Sequence, residues 1–210
     1  MVFPCIFQEK WQKYLVVGDK CGILKNGLLL RFIYRSRKRK EAVRVNLKQL
    51  LEGISYEVQQ GTADVGISDF QYDSRKVEKD GLFVCITGFQ TDGHKYIPMA
   101  LEKGAVALLC EHRVENVPEG VTVLVTENNR IALALLSDHF YGHPSAEMNV
   151  IGVTGTNGKT STTYLMKSIL DRIGKKVGII GTIENRIGDE VLKAERTTPE
   201  SKELQALFRR

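Results

Sequence analysis

Cysteine is scarce and scattered in this sequence. Cys5, Cys21, Cys85 and Cys110 form no CxxC pair, and no histidine set stands at metal-ligand spacing around them. That excludes the disulfide scaffold of a small secreted domain and offers no zinc pattern. Cys85 and Cys110 lie in apolar runs, where a small buried thiol in a reducing cytoplasm is expected. No stretch reaches the ~18–20 apolar residues that a membrane span needs. The early run from Leu28 to Tyr34 is interrupted by Arg31 and precedes Arg35-Ser36-Arg37-Lys38-Arg39-Lys40, which reverses the charge order of a signal peptide. Internal repeats and low-complexity tracts are also lacking, so neither a repeat array nor a disordered chain is expected.

A uniform excess of one charge is missing as well. The chain carries 30 basic and 25 acidic side chains, a net charge of +5. Residues 1–44 hold 11 Lys/Arg against 3 Asp/Glu, a net of +8, and residues 45–210 hold 19 against 22, a net of −3. The basicity belongs to one end, which excludes an argument from overall charge to nucleic-acid binding. Residues 1–44 show no sustained periodicity. They read as a disordered basic tail, a polyanion-binding arm or a non-native extension, with a poorly ordered or non-native extension favoured.

What is present begins at Val45. Asn46 can cap a short helix over 47–52, with Leu47, Leu50 and Leu51 on one face. Buried strands are expected at 81–86, 105–110 and 121–125, and a helix closed by Gly104 at 96–103. Asn129 is placed as the cap of a helix running to Phe140, with Leu133, Leu136 and Phe140 on its inner stripe. Alternation of strands and helices predicts an α/β layer architecture. The stretch His143-Pro144-Ser145 marks a boundary, giving one unit over 45–145 and a second over 146–210. In the second, a strand at 149–153, a helix at 159–173 and a strand at 176–181 read as one βαβ crossover. The helix carries Leu165, Met166, Ile169, Leu170 and Ile173 on one face. A further helix from Glu200 runs to Arg210. One crossover cannot cover both faces of a parallel sheet, so the second unit reads as the start of a larger domain.

The strongest chemical signal is Thr154-Gly155-Thr156-Asn157-Gly158-Lys159-Thr160, placed between the expected strand and helix. Glycines let the backbone wrap an anion at a helix N-terminus, where free amides and the helix dipole supply positive potential. Gly155 through Ser161 form the expected cradle for ATP. Lys159 reaches the outer phosphates and the Thr160 hydroxyl ligates Mg²⁺, which makes these two the expected catalytic pair. The general pattern G-x-x-x-x-G-K-[ST] is not met in full, because Val153 stands where its first glycine belongs. The four histidines, His94, His112, His139 and His143, are expected to be solvated or structural.

This loop resembles the ATP loop of the Mur ligase superfamily, which also includes folylpolyglutamate and cyanophycin synthetases. Asp73-Ser74-Arg75, Asp80 to Val84, Gly88-Phe89-Gln90-Thr91-Asp92-Gly93 and Thr197-Thr198-Pro199-Glu200-Ser201 follow in the order found in its UDP-N-acetylmuramyl-tripeptide synthetase branch. The resemblance covers about residues 45–210. It implies an N-terminal UDP-substrate domain followed by the start of an ATPase domain. It also implies ATP-dependent amide formation in peptidoglycan precursor synthesis. There the D-glutamate carboxylate of UDP-MurNAc-L-Ala-D-Glu is phosphorylated, and the amine of meso-diaminopimelate or L-lysine displaces the phosphate. By position, Ser74 would contact the uridine portion, Phe89, Gln90 and Thr91 would line the same pocket, and Thr197 and Thr198 would bind the muramyl-dipeptide part. Arg196 departs from the small polar residue expected there. The family's downstream magnesium ligand, carbamylated lysine and C-terminal domain have no counterpart in these 210 residues. The expectation is therefore a cytoplasmic, monomeric ligase fragment that does not complete the reaction alone. A stand-alone nucleotide-binding module and a P-loop kinase or GTPase are the alternatives.

Overall fold

The computed structural model describes residues 44–88 and 91–210. The readings of residues 1–43, including Cys5, Cys21 and the basic run, lie outside the described residues. The first unit is built on a five-stranded sheet of β2 (Glu57–Gln60), β4 (Phe70–Gln71), β5 (Gly81–Val84), β6 (Ala105–Cys110) and β7 (Thr122–Val125), in the order β2-β7-β6-β5-β4. β4, β5, β6 and β7 run parallel, and β2 is an antiparallel edge. A small pair, β1 (Val45–Asn46) with β3 (Gly66–Ile67), sits beside it.

The two-residue period of a strand explains why β5 and β6 are apolar throughout. Leu82, Val84, Ala107, Leu109 and Leu124 point to one face, where they meet Leu47, Leu50 and Leu51 and the inner stripe Ala132, Leu133, Leu136 and Phe140. Phe83, Cys85, Leu108, Cys110 and Val123 point to the other, against Ile97 and Ala100. The covering helices are α1 (Leu47–Leu50), capped by Asn46 as expected, α2 (Ile97–Glu102) and α3 (Asn129–Phe140). Ala132, Leu133, Leu136 and Phe140 of α3 are buried. Its cap is Asn128, whose side chain accepts from the amides of Arg130 and Ile131. The cap expected at Asn129 is thus one residue late, and the freed Asn129 side chain turns inward.

The second unit departs from its expected βαβ form. Helix α4 (Lys159–Arg172) and strand β8 (Gly178–Ile180) form where predicted, but residues 149–153 form no strand. β8 pairs antiparallel with β9 (Glu184–Ile187), which pairs antiparallel with β10 (Glu190–Lys193). The expected parallel pair is therefore replaced by a meander. The physical reason is that a strand exists through its neighbours, and the polar β9–β10 hairpin supplies the nearest edge for β8. The apolar face expected on α4 is present but uncovered, with Leu165, Ile169 and Ile173 each more than 60% exposed. The last element, α5 (Ser201–Arg209), packs on α3 of the first unit. Among the described residues, no helix is long and apolar enough to cross a membrane.

Candidate functional site

The glycine-rich loop leads into the N-terminus of α4. Gly158 stands at the cap with φ 79°, in the left-handed region that a side chain resists, and Gly155 has φ 149°. Because glycine has no side chain to accept the first helical amides, those amides face outward together with the positive end of the dipole. The helix ladder starts with Thr162 N donating to Gly158 O at 2.9 Å. The Lys159 ammonium folds over the loop and donates to the carbonyls of Gly155 (2.5 Å) and Thr156 (3.3 Å). Loop residues 154–158 are exposed, whereas Lys159 and Thr160 are half-buried. A cationic side chain, outward amides and an open glycine turn fit a polyphosphate, and the Thr160 hydroxyl is the group here able to ligate its Mg²⁺.

Thr197 and Thr198 lie exposed in the loop before α5. Thr182 Oγ1 donates to Thr197 Oγ1 at 3.1 Å, which draws the threonine pair to the segment following β8. The carboxyl end of β8 is therefore where this pair is anchored.

In the first unit, Asp73 caps the 3-10 turn Ser74–Lys76. It accepts from the Arg75 amide at 3.0 Å and from the guanidinium at 2.9 and 2.8 Å. The Arg75 bonds hold the Asp73 carboxyl below its ordinary range. Ser74 is buried, with its hydroxyl 3.3 Å from the Met99 sulfur. Its side chain thus packs toward α2, while Arg75 and Lys76 of the turn are exposed. Thr91 is exposed and within 3.2 Å of the Tyr96 hydroxyl. Its carbonyl accepts from Gly88 N at 2.9 Å, closing the loop at the carboxyl end of β5. Phe89 and Gln90 lie outside the described residues. Gly93 admits no Cβ, because one would stand 2.7 Å from Ile86 N, so glycine lets the chain pass close to the segment leaving β5.

Beneath this loop lies a polar cluster that spacing alone does not reveal. His94 Nδ1 is 2.6 Å from Asp92 Oδ1, and its Nε2 accepts from Glu111 N at 3.0 Å. That acceptance assigns the ring proton to Nδ1. The ring stacks on His112 with centroids 3.9 Å apart. Glu111 in turn accepts from the amides of Thr87 and Asn129, both at 3.1 Å. Asn129 Nδ2 donates to Cys85 O at 2.5 Å and Leu109 O at 2.9 Å. The ends of β5 and β6 and the start of α3 are thereby tied together. The two thiols meet directly opposite each other there, with Sγ atoms 3.9 Å apart and His94 alongside. The bond they share, reinforced by burial, pushes the Cys85 thiol up, and the same bond with the neighbouring imidazoles lowers Cys110. Both of the His94 nitrogens are engaged, so the cluster serves as a structural floor for the loop.

Residues 67–141 match the Mur ligase family catalytic domain, and residues 153–210 match the Mur ligase middle domain. The UDP-N-acetylmuramoyl-L-alanyl-D-glutamate--2,6-diaminopimelate ligase 1 of Clostridium acetobutylicum is 48% identical over 164 residues, covering 78% of this chain and 34% of its own length. The corresponding ligase of Alkaliphilus oremlandii is 48% identical over 162 residues, covering 77% and 33%. A solved structure of a UDP-N-acetylmuramoyl-L-alanyl-D-glutamate--2,6-diaminopimelate ligase superposes with a TM-score of 0.57 at 22% identity, over 80% of this chain and 33% of that one. That likeness concerns the fold alone. The chain spans about one third of the length of the curated relatives it matches.

Proposed function

Because this chain belongs to the Mur ligase family, we propose that it carries the UDP-substrate unit and the first part of the ATP unit of a ligase that joins 2,6-diaminopimelate to UDP-MurNAc-L-Ala-D-Glu. The relatives' names favour diaminopimelate over lysine, the alternative that the sequence by itself left open. The units take the boundaries 45–145 and 146–210. The whole acts as a monomer in the cytoplasm, where ATP and nucleotide-linked sugars are at hand.

The observation that carries this reading is the Gly158-Lys159-Thr160 turn at the N-terminus of α4. A carboxylate is a poor electrophile, and transfer of a phosphoryl group from ATP supplies the leaving group that amide formation requires. The residues of this chain contribute charge and alignment. Gly155 to Ser161 hold the phosphates through their amides, Lys159 neutralises the outer phosphates, and Thr160 offers an oxygen to Mg²⁺. In the first unit, the Asp73-Ser74-Arg75 turn and residues Gly88 and Thr91 lie at the carboxyl ends of β4 and β5, where open α/β sheets take their ligands. We assign the uridine end to this crevice and the dipeptide end to Thr197 and Thr198.

The decisive measurement is a calorimetric ATP titration of the parent chain and of Lys159→Ala, in the presence of magnesium. The variant is expected to bind at least tenfold more weakly, corresponding to loss of about 1.4 kcal/mol or more of charge-assisted bonding. Equal affinities in the two proteins would overturn the phosphate-cradle assignment.

A further inference from the structure

Helix α5 follows directly on the Thr197-Thr198-Pro199 loop, yet its side chains grip the first unit. Glu200, at its cap, pairs with Arg130 of α3 at 3.2 Å. The Glu203 carboxylate accepts from the Tyr72 hydroxyl at 3.0 Å. Arg209 donates to the carbonyls of Tyr141 (2.7 Å) and Gly142 (2.5 Å) and pairs with Glu147 at 3.1 Å. Lys202 is only 8% exposed. Its ammonium lies 2.9 Å from Asp69 Oδ2, 2.5 Å from Phe70 O and 4.7 Å over the Phe70 ring. Lys202, Ala206 and Arg209 stand at i, i+4 and i+7 and so share one face of the helix; Ala206 packs on the main core.

A buried ammonium is costly unless paired, and removing one partner of such a pair is more damaging than a surface ion pair would suggest. What sets Lys202 apart is the position of the two groups it joins. Asp69 immediately precedes β4, which runs through Tyr72 into the Asp73-Ser74-Arg75 turn. Lys202 lies one turn beyond Thr198, at the start of α5. This ion pair, with the Glu203–Tyr72 hydrogen bond beside it, therefore ties the turn assigned to the uridine end to the threonines assigned to the dipeptide end.

We propose that Lys202 is a positioning residue that holds these two half-sites at a fixed separation, so that one elongated nucleotide-sugar-peptide engages both at once. The inference rests on the substrate assignment made above. With the half-sites fixed, the second contact forms at high effective concentration; with them loose, the ligand gains little beyond its first contact. Binding of the spanning ligand then depends on Lys202, and binding of its uridine half does not.

The test titrates the parent chain, Lys202→Met and Lys202→Arg with UDP and, separately, with UDP-MurNAc-L-Ala-D-Glu. Lys202→Met is expected to keep its UDP affinity within about twofold while losing at least tenfold for the spanning ligand. Lys202→Arg, which retains the charge, should restore most of the difference. Asp69→Asn combined with Lys202→Met should be no worse than the poorer single variant, the signature of one shared interaction. Unchanged binding of the spanning ligand in Lys202→Met overturns the proposal. An equal loss for both ligands also overturns it, since that is the mark of a general structural role. Should Lys202→Met fail to fold, Tyr72→Phe removes only the neighbouring hydroxyl link and reads the same split between the two ligands. If the parent itself binds the spanning ligand no better than UDP, the substrate assignment falls, and the clamp proposal with it. A loss confined to the variants speaks about Lys202 alone.

Discussion

Asn129 shows how much a single side chain can decide in this fold. Its amide reaches two strands at once, donating to the carbonyls of Cys85 and Leu109, while its carbonyl oxygen lies 2.5 Å from the Thr126 hydroxyl. Truncation would leave buried polar groups unmatched. Asn129→Ala is therefore expected to cost about 1–3 kcal/mol, read as a lowered urea midpoint with unchanged slope. His143 presents a milder, pH-dependent case. Its ring lies 2.6 Å from Asp138, and that hydrogen bond raises its pKa above the ordinary value despite partial burial; Arg209 opposes the shift and Glu52 adds to it. A raised native pKa means the folded chain holds the proton more tightly than the unfolded one. The stabilisation is complete below the ordinary histidine value and disappears as pH rises through the native value. Since half of the His143 side chain is exposed, the effect is a few tenths of a kcal/mol at most. Between pH 6 and pH 8 the parent should lose that much stability relative to His143→Gln, measured as the difference in urea midpoints across the range.

At the scale of elements, α3 and α4 carry similar apolar stripes but have opposite fates. Leu133 of α3 is fully buried, whereas Ile169 of α4 is 63% exposed. Leu133→Ala should cost about 2–5 kcal/mol, because it opens a cavity between helix and sheet. Ile169→Ala should stay within about 0.5 kcal/mol, as a surface change does. Paired denaturation curves would separate the two outcomes. The same contrast explains what could be read from the residues alone. β5, β6 and β7 were legible because strands buried on both faces are continuous apolar runs, and α3 because its stripe repeats every third or fourth residue. β1, β3 and β4 were not, since two residues cannot display a period and their ladders come from distant partners. Residues 149–153 looked like β6 in composition but have no neighbouring strand to pair with. The phosphate loop was visible because its glycines answer a local backbone demand. The His94–Glu111–Asn129 floor was hidden, because its members meet only through the tertiary fold.

For the molecule as a whole, the sequence divides more sharply by charge than by apolar content. The +8 segment at residues 1–44 stands apart from a body of net −3. Lys159 lies across its loop, and Lys202 lies on the buried face of α5. The two units are joined covalently through the Pro144–Glu147 turn and, independently, through α5. Such a second tether makes the arrangement of the proposed half-sites a property of the fold and not of the linker. It also has a bearing on the order of events during synthesis. Asp69 and Lys202 are 133 positions apart in the chain, so at translation speeds of about 5–20 residues per second the carboxylate waits on the order of ten seconds for its ammonium. Every strand of the five-stranded sheet has been made by then. The nascent chain thus completes the five-stranded sheet first, and α5 arrives as a late latch closing on a surface already built.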